Sequence, residues 1–270
     1  MNLWNETKSV PISRDMVWSA YKKVKANKGS AGVDSISMDE FNVNRTKHLY
    51  KLWNRLASGS YFPPPVKEVE IPKKDGKVRK LGIPTIADRV AQTVIKDFIE
   101  PRLEKVFSPY SYGYRPNKNA HQALQSVREN TRIYDWVIDL DIKGFFDNID
   151  HTKLMLAVDK NVSEKWVRMY ILRWLSMPVL QKSGLLKENE GKGTPQGGVI
   201  SPLLANLFLH YAFDMWLVIT DTTVKFARYA DDVIIHCKSK TQAEQLLNKL
   251  NERMQEVGLE LHLGKTKIVY

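Results

Sequence analysis

"VKFARYADDVIIHC", residues 224–237, decides how this chain is read. Two runs of strand character, VKFARY and VIIHC, flank adjacent carboxylates, Asp231 and Asp232. The pattern is a β-hairpin with acids at its turn. Asp is a common turn residue, because its short side chain bonds the nearby backbone, so the tetrapeptide YADD by itself defines no chemistry. A second acidic strand changes the weighing. In "VIDLDI" (137–142), alternation puts Asp139 and Asp141 on one face and Ile138, Leu140 and Ile142 on the other. Acids on two strands of one sheet concentrate negative charge, and neighbouring carboxylates raise each other's pKa. Either Lys or Arg neutralises them or a hard cation does. Mg²⁺ takes one or two protein carboxylates together with substrate phosphates. Two such ions, about 4 Å apart, clamp the attacking and leaving oxygens of a phosphoryl transfer.

The rest of the 270-residue chain fits a polyanionic partner. Lys and Arg number 41 against 30 Asp and Glu, a net charge of +11. Such an excess points to nucleic acid first and an anionic membrane surface second, with a merely solvated cationic surface as the plain alternative. Cys237 is the only cysteine, so no internal disulfide forms and a cysteine-based zinc site is excluded. The first residues, MNLWNETKSVPISRD, lack a basic segment followed by an apolar core, so no secretory signal is expected. The longest apolar run, LLANLFL (203–209), is too short to span a bilayer.

Outward from the acidic hairpin, the other elements follow from local pattern. Residues 13–34 begin as an amphipathic helix and end in a glycine-bearing loop, and YFPPPV (61–66) is a stiff connector. Residues 66–84 alternate around Asp75-Gly76 as a hairpin whose tip carries Lys73, Lys74, Lys77, Arg79 and Lys80. A helix follows, capped by Thr85 and Asp88, which Pro101 kinks or ends. Trp166, Tyr170 and Trp174 recur at i, i+4, i+8 as a core stripe. KGTPQGGVISP (192–202) is a glycine-rich loop, 202–217 a strongly apolar helix, and 241–258 a helix with a Thr241–Glu244 capping box and a Gly258 stop. Strands and helices alternate without a regular βαβ register, which indicates an α+β layered fold.

The motifs NKGSAGVD, IPKKDGKVRKLGIP, SYGYRPNKNAHQAL, VIDLDIKGFFDNIDH, GTPQGGVISPLLANLFL, RYADDVII and LELHLGKTKIV stand in that order from residue 27 to residue 269. With them the sequence resembles the reverse transcriptases encoded by group II introns. The resemblance implies a right-hand polymerase fold. Fingers would be residues 1–85 with about 152–192, and palm 86–151 with 193–270. The family continues into a helical thumb and often a DNA-binding or endonuclease segment, so a fragment lacking the thumb is expected. The resemblance puts the catalytic, metal-binding carboxylates at Asp141, Asp231 and Asp232, with the carbonyl of Ile142 completing a shell for two Mg²⁺ (Mn²⁺ as substitute). It puts the bulky ring that excludes ribonucleotides at Phe145, leaving Phe146 to the core. Lys73 and Arg79 would grip the triphosphate and Gln196 contact the nucleotide. Lys265 would lie near the phosphates as a candidate proton donor to pyrophosphate.

Asp139 is read as a structural acid, and Asp150 and His151 as organisers of the following helix. His236 and Cys237 read as core, and Tyr112, Tyr114 and Arg115 as either a template-stacking group or a packed loop. Implied partners are an RNA template, intron RNA, a DNA or RNA primer and deoxynucleoside triphosphates. No membrane is implied, and nothing demands a homodimer. The implied setting is cytoplasmic and ribonucleoprotein- or nucleoid-associated. Three other readings stand beside polymerase chemistry: an RNA-binding splicing cofactor (maturase) that needs no metal site, a recruited enzyme of a CRISPR-linked or defence system, and a palm-domain cyclase. The TPQGG loop and the basic hairpin speak against the last.

Overall fold

The computed structural model describes residues 9–72, 76 and 78–270. In chain order the elements begin with α1 (Arg14–Ala26), α2 (Met38–Val43), α3 (Arg45–Ala57), β1 (Val66–Pro72), β2 (Val78–Ile83) and α4 (Ile86–Leu103). Next come α5 (Ala120–Asn130), β3 (Trp136–Leu140), α6 (Phe145–Asn148), α7 (His151–Asn161), α8 (Lys165–Leu175), β4 (Val179–Leu180) and β5 (Leu186–Lys187). The last part holds α9 (Ser201–Leu209), a π-helical turn (His210–Asp214), α10 (Met215–Thr220), β6 (Lys225–Tyr229), β7 (Asp232–Cys237), α11 (Lys240–Glu256) and β8 (Lys267–Val269). Two compact units result. Unit one runs to Pro101 and takes in Val162–Ser201; unit two is Arg102–Asn161 with Pro202–Tyr270. The units change over at 101, 161 and 201, whereas the sequence boundaries were drawn at 85, 152 and 192.

In unit one the hairpin β1–β2 pairs from Lys67↔Ile83 to Pro72↔Val78, and the sheet runs β2-β1-β4-β5. The tip residues Lys73, Lys74, Asp75 and Lys77 lie outside the described residues. Helix α1 starts where Ser13 accepts from the Met16 amide (3.2 Å), satisfying an otherwise orphaned N–H. Helix α4 is begun by Thr85, which accepts from the Asp88 amide (3.2 Å), and it passes through Pro101 to end at Leu103. The aromatic stripe of α8 is core: Tyr170 is buried with its hydroxyl on the Leu56 carbonyl (2.7 Å), and Trp166 packs against Phe98.

A fully buried carboxylate ties α4 into unit one. Asp88 Oδ1 accepts from Tyr61 Oη and Trp174 Nε1, both at 2.8 Å, and Oδ2 accepts from Gln92 Nε2 at 2.9 Å. Burial pushes this carboxyl above its ordinary range, and the three donors pull it back.

Unit two is a sheet, β6-β7-β3-β8, with its helices. Ile138, Leu140, Val233 and Ile235 are buried, while Asp139 on the other face of β3 is exposed, as alternation requires. Residues 201–220 form a helical run of 20 residues, apolar enough by length and composition to cross a membrane, with 67% of that window buried. The helix expected over 202–217 is present and runs one residue earlier and three residues further, so its whole length exceeds the seven-residue apolar run on which the bilayer expectation rested. Its burial is that of a core helix. Helix α11 is capped by Ser239, which accepts from the Gln242 amide (3.2 Å), rather than by Thr241. Gln242 reaches back to the Lys238 amide (2.7 Å), so the reciprocal bonds sit two residues earlier than expected. Gly258 does end the helix, with φ +82°.

Asp88→Ala would strand donors in the core at about 1–3 kcal/mol each, and urea unfolding should show a loss of at least ~3 kcal/mol. Asp88→Asn keeps Oδ1 for Tyr61 and Trp174 and should lose only about 1 kcal/mol. Equal losses in the two variants would refute the carboxylate as the hub.

Candidate active site

The acidic hairpin is as tight as its sequence suggests. Strands β6 and β7 pair to Tyr229↔Asp232, leaving Ala230 and Asp231 as the turn. Ala230 is left-handed, φ +59°, a conformation that costs a residue with a Cβ roughly 1–2 kcal/mol. Opposite, β3 and β7 pair from Trp136↔Cys237 to Leu140↔Val233. One further step in that register sets Asp141 across from Asp232, on the face shared with Asp139. The backbone therefore gathers Asp141, Asp231 and Asp232 at one end of the sheet.

A second strand segment holds Asp141 from the other side. Its carbonyl accepts from the His262 amide (2.8 Å), and the Lys143 amide donates to the Glu260 carbonyl (2.9 Å). These bonds flank the Ile142↔Leu261 bridge, so the amide and carbonyl of Ile142 face away from that segment. Lys265 Nζ lies 3.0 Å from Asp141 Oδ2. Thr266 accepts from the Asp141 amide (3.4 Å).

The electrostatics record the crowding. The Asp232 carboxyl is held above its ordinary range, first by desolvation and then by the charges of Asp231, Asp141 and Asp139; Lys265 pulls the other way. Among the described residues, no group of three or more His, Cys, Asp or Glu is already gathered so as to hold a metal ion. The donor set is nonetheless of the right kind. It offers only oxygen ligands and excess negative charge, and Mg²⁺ requires just one or two protein carboxylates, completing its shell with water and phosphate.

Several assignments change on contact with the structure. Phe145, expected to face the sugar, is 2% exposed and packs near Phe208 and Phe146. Phe146, expected in the core, is the half-buried ring, 6.4 Å from exposed Tyr114. The reversal comes from Gly144, whose φ of +55° starts the short α6 and turns the first ring inward. Arg115 is a structural group: it forks onto Glu104 (3.1 and 2.9 Å) and donates to the Ser108 and Ser111 carbonyls. Tyr112 is buried, so of that loop's trio only Tyr114 is exposed. Asp150 accepts from the Lys153 amide (2.9 Å), opening α7. His236 and Cys237 are buried.

In unit one, Lys73 lies outside the described residues. Arg79 is exposed on β2 opposite Ile71, and Gln196 is half-buried with its carbonyl accepting from the Gly82 amide (2.8 Å). That loop needs Gly197: its φ is +120°, and a Cβ there would come within 2.6 Å of the Gly82 carbonyl oxygen. Sequence reasoning missed Asp214, Asn206 and Arg228, which lie buried behind the acidic turn. An Arg beside the YADD turn and an Asp inside an apolar helix were the available signals.

A four-stranded antiparallel sheet offering carboxylates from two adjacent strands has the form of a palm in the α+β right-hand polymerase fold. The chain belongs to the reverse transcriptase (RNA-dependent DNA polymerase) family, whose profile matches residues 71–270. Among its relatives are the group II intron-encoded protein LtrA of Lactococcus lactis subsp. cremoris, 32% identical over 91% of this chain and 41% of that protein, and Protein YkfC of Escherichia coli, 31% identical over 88% of this chain and 71% of that one. A shorter stretch, 34% of this chain, is 33% identical to nuclear intron maturase 1, mitochondrial, of Arabidopsis thaliana. The fold is shared with telomerase from Candida albicans (TM-score 0.62, 12% identity, 78% of this chain and 44% of that one). This chain thus spans about two-fifths of LtrA.

Gly113 packs directly on the turn: a Cβ there would lie 2.4 Å from the Ala230 amide nitrogen and 3.0 Å from the Tyr229 carbonyl carbon. Gly113→Ala must therefore displace the acidic turn, and a shift of 1 Å can cost about 100-fold in rate. Primer extension by the variant should fall on that scale with its thermal transition retained; full activity would show that the turn tolerates the shift.

Proposed function

We propose that this chain carries the nucleotidyl-transfer centre of a group II intron-type RNA-directed DNA polymerase. The observation supporting this most directly is the strand register that brings Asp141, Asp231 and Asp232 to one end of the sheet. In the reaction, a primer 3′-hydroxyl gives up its proton to solvent as its oxygen bonds to the α-phosphorus of a deoxynucleoside triphosphate, the bond to pyrophosphate breaks, and the departing oxygen takes up a proton. When bound, two Mg²⁺ (or Mn²⁺) would lower the charge on the attacking and leaving oxygens; Asp141, Asp231, Asp232 and the Ile142 carbonyl would hold them. Lys265, 60% exposed, offsets the Asp141 charge and carries a proton at Nζ that suits the leaving group. Phe146, five residues beyond Asp141, is the ring we assign to the sugar in place of buried Phe145. Arg79 and Gln196, with Lys73, keep the nucleotide-binding role that the resemblance gives them. Positioning and electrostatics account for nearly all catalysis of this kind.

A second activity, binding of intron RNA as a splicing maturase, is favoured by one feature. Lys22, Lys23, Lys25 and Lys28 are all exposed on or just beyond α1, and Lys23 pairs with Asp97 at 2.8 Å. Such a row suits a phosphate backbone and needs no metal site.

Asp231→Ala in the full-length protein should cut DNA synthesis on a primed RNA template by more than about 100-fold. Its RNA affinity should fall with salt as steeply as that of the unaltered protein. Synthesis at the original rate would sink the polymerase reading, and a flattened salt slope would sink the separation of the two activities. Phe146→Val should admit ribonucleotides by roughly 10- to 100-fold more, since steric exclusion is worth about 1–3 kcal/mol. Unchanged discrimination, with Phe145→Val altering it instead, would return the role to Phe145.

A further inference from the structure

The buried side of the acidic turn is built from charge. Arg228, two residues before Ala230, is fully buried and forks onto Asp214: Nε to Oδ1 and Nη2 to Oδ2, both 2.7 Å. Its remaining nitrogen, Nη1, donates to Asn206 Oδ1 (2.9 Å) and to the Ala230 carbonyl (3.0 Å). Asn206 Nδ2 in turn donates to the carbonyl of Gly113 (2.8 Å), the residue that packs on the turn. The set thus reaches the strained residue that separates Tyr229 from the acids directly through Arg228 Nη1, and its neighbour Gly113 through Asn206.

Asp214 reaches Arg228 from an irregular part of its helix. It is the last residue of the π-helical turn His210–Asp214. Such turns cluster at functional sites because the extra residue re-aims the side chains that follow. This one is clamped from outside: Arg253 of α11 donates to the carbonyls of Ala212 (3.0 Å) and Tyr211 (3.3 Å).

Stability alone does not account for the arrangement. Well-packed apolar residues of similar volume commonly serve as well as a buried ion pair, because desolvation offsets the Coulomb gain. A guanidinium, however, supplies what no apolar side chain can: a donor aimed at a turn carbonyl while its other edge is locked on a carboxylate.

We propose that Arg228, oriented by Asp214 and Asn206, is the positioning residue that fixes the Ala230 carbonyl, and with it the Asp231 and Asp232 carboxylates, in their working orientation, and that the π-helical turn serves to aim Asp214 at Arg228. This inference rests on the polymerase reading. Arg228 acts through the turn and touches no substrate.

The test uses the full-length protein in steady-state primer extension on an RNA template. Three variants are compared: the paired apolar replacement Arg228→Met with Asp214→Leu, and the milder Arg228→Lys and Asn206→Ala. Each is scored if it retains a cooperative thermal transition. The expected result is a kcat lower by about 100-fold in the pair, with nucleotide KM and RNA affinity little changed. The Mg²⁺ concentration for half-maximal rate should rise about 10-fold, since loss of groups that orient metal ligands weakens the site on that scale. A purely structural role would lower the thermal transition without moving the Mg²⁺ requirement of the folded fraction. A folded variant with the original kcat and Mg²⁺ dependence, beside an inactive Asp231→Ala, overturns this inference alone. An active Asp231→Ala overturns the polymerase reading on which it stands.

Discussion

Backbone register, rather than mutual attraction, holds the carboxylates of this protein together. Asp139, Asp141, Asp231 and Asp232 repel one another, and the Asp232 carboxyl is raised first by its burial and then by the three neighbouring charges. They stay close because each is fixed in a strand or a two-residue turn, and because the hydrophobic faces beneath leave no other alignment. A one-residue slip of β3 would bury Asp139 and expose Ile138 and Leu140, losing roughly 1.5–3 kcal/mol for each large side chain taken out of the core. The energy that gathers the acids therefore comes from the apolar face of the same sheet. Lys265 relieves part of the strain, and a divalent cation would relieve more.

The two units solve the problem of a buried acid differently. Asp88 is surrounded by neutral donors from a tyrosine, a tryptophan and a glutamine. Its role is architectural, tying α4 to α8 and, through Gln92, whose Oε1 accepts from the Ile200 amide (3.2 Å), to the glycine-rich loop. Asp214 is paired with a full positive charge that itself serves a backbone carbonyl. Neutral donors suffice where a carboxylate only has to stay put. A charged partner is the more directional choice, because its five N–H groups lie in one rigid plane and can serve several acceptors at once.

What the sequence disclosed follows from which patterns are local. Alternation over six residues gave the faces of β3, and strand–turn–strand character gave the acidic hairpin; both depend on near neighbours only. The hairpin at 66–84 and the starts of α1 and α4 were equally visible. Features decided by more distant packing were hidden. Phe145 and Phe146 are indistinguishable in sequence, and which ring turns inward depends on how the short α6, entered through the left-handed Gly144, packs against Phe208. Arg115 looked available for a base until Glu104 was found to occupy it. The pairing of Arg228 with Asp214 depends on one extra residue in a helical turn, and no periodicity rule predicts that. The helix over 202–217, by contrast, was legible despite Asn206, His210 and Asp214, and only the buried partners of Asn206 and Asp214 were hidden.

This difference bears on how the site is built. The reacting carboxylates announce themselves because their chemistry demands a residue type at a fixed strand position. The groups that aim them need only reach the right carbonyl, and any helix or loop can present such a group. A turn held by Ala at φ +59° would relax toward an ordinary conformation if its carbonyl were released, carrying both acids with it. The buried arginine thus sets a geometric condition on the exposed chemistry, and its burial shields that condition from solvent competition. On this reasoning the hydrophobic core fixes where the strands lie, and the polar network behind the turn fixes where the carboxylates point.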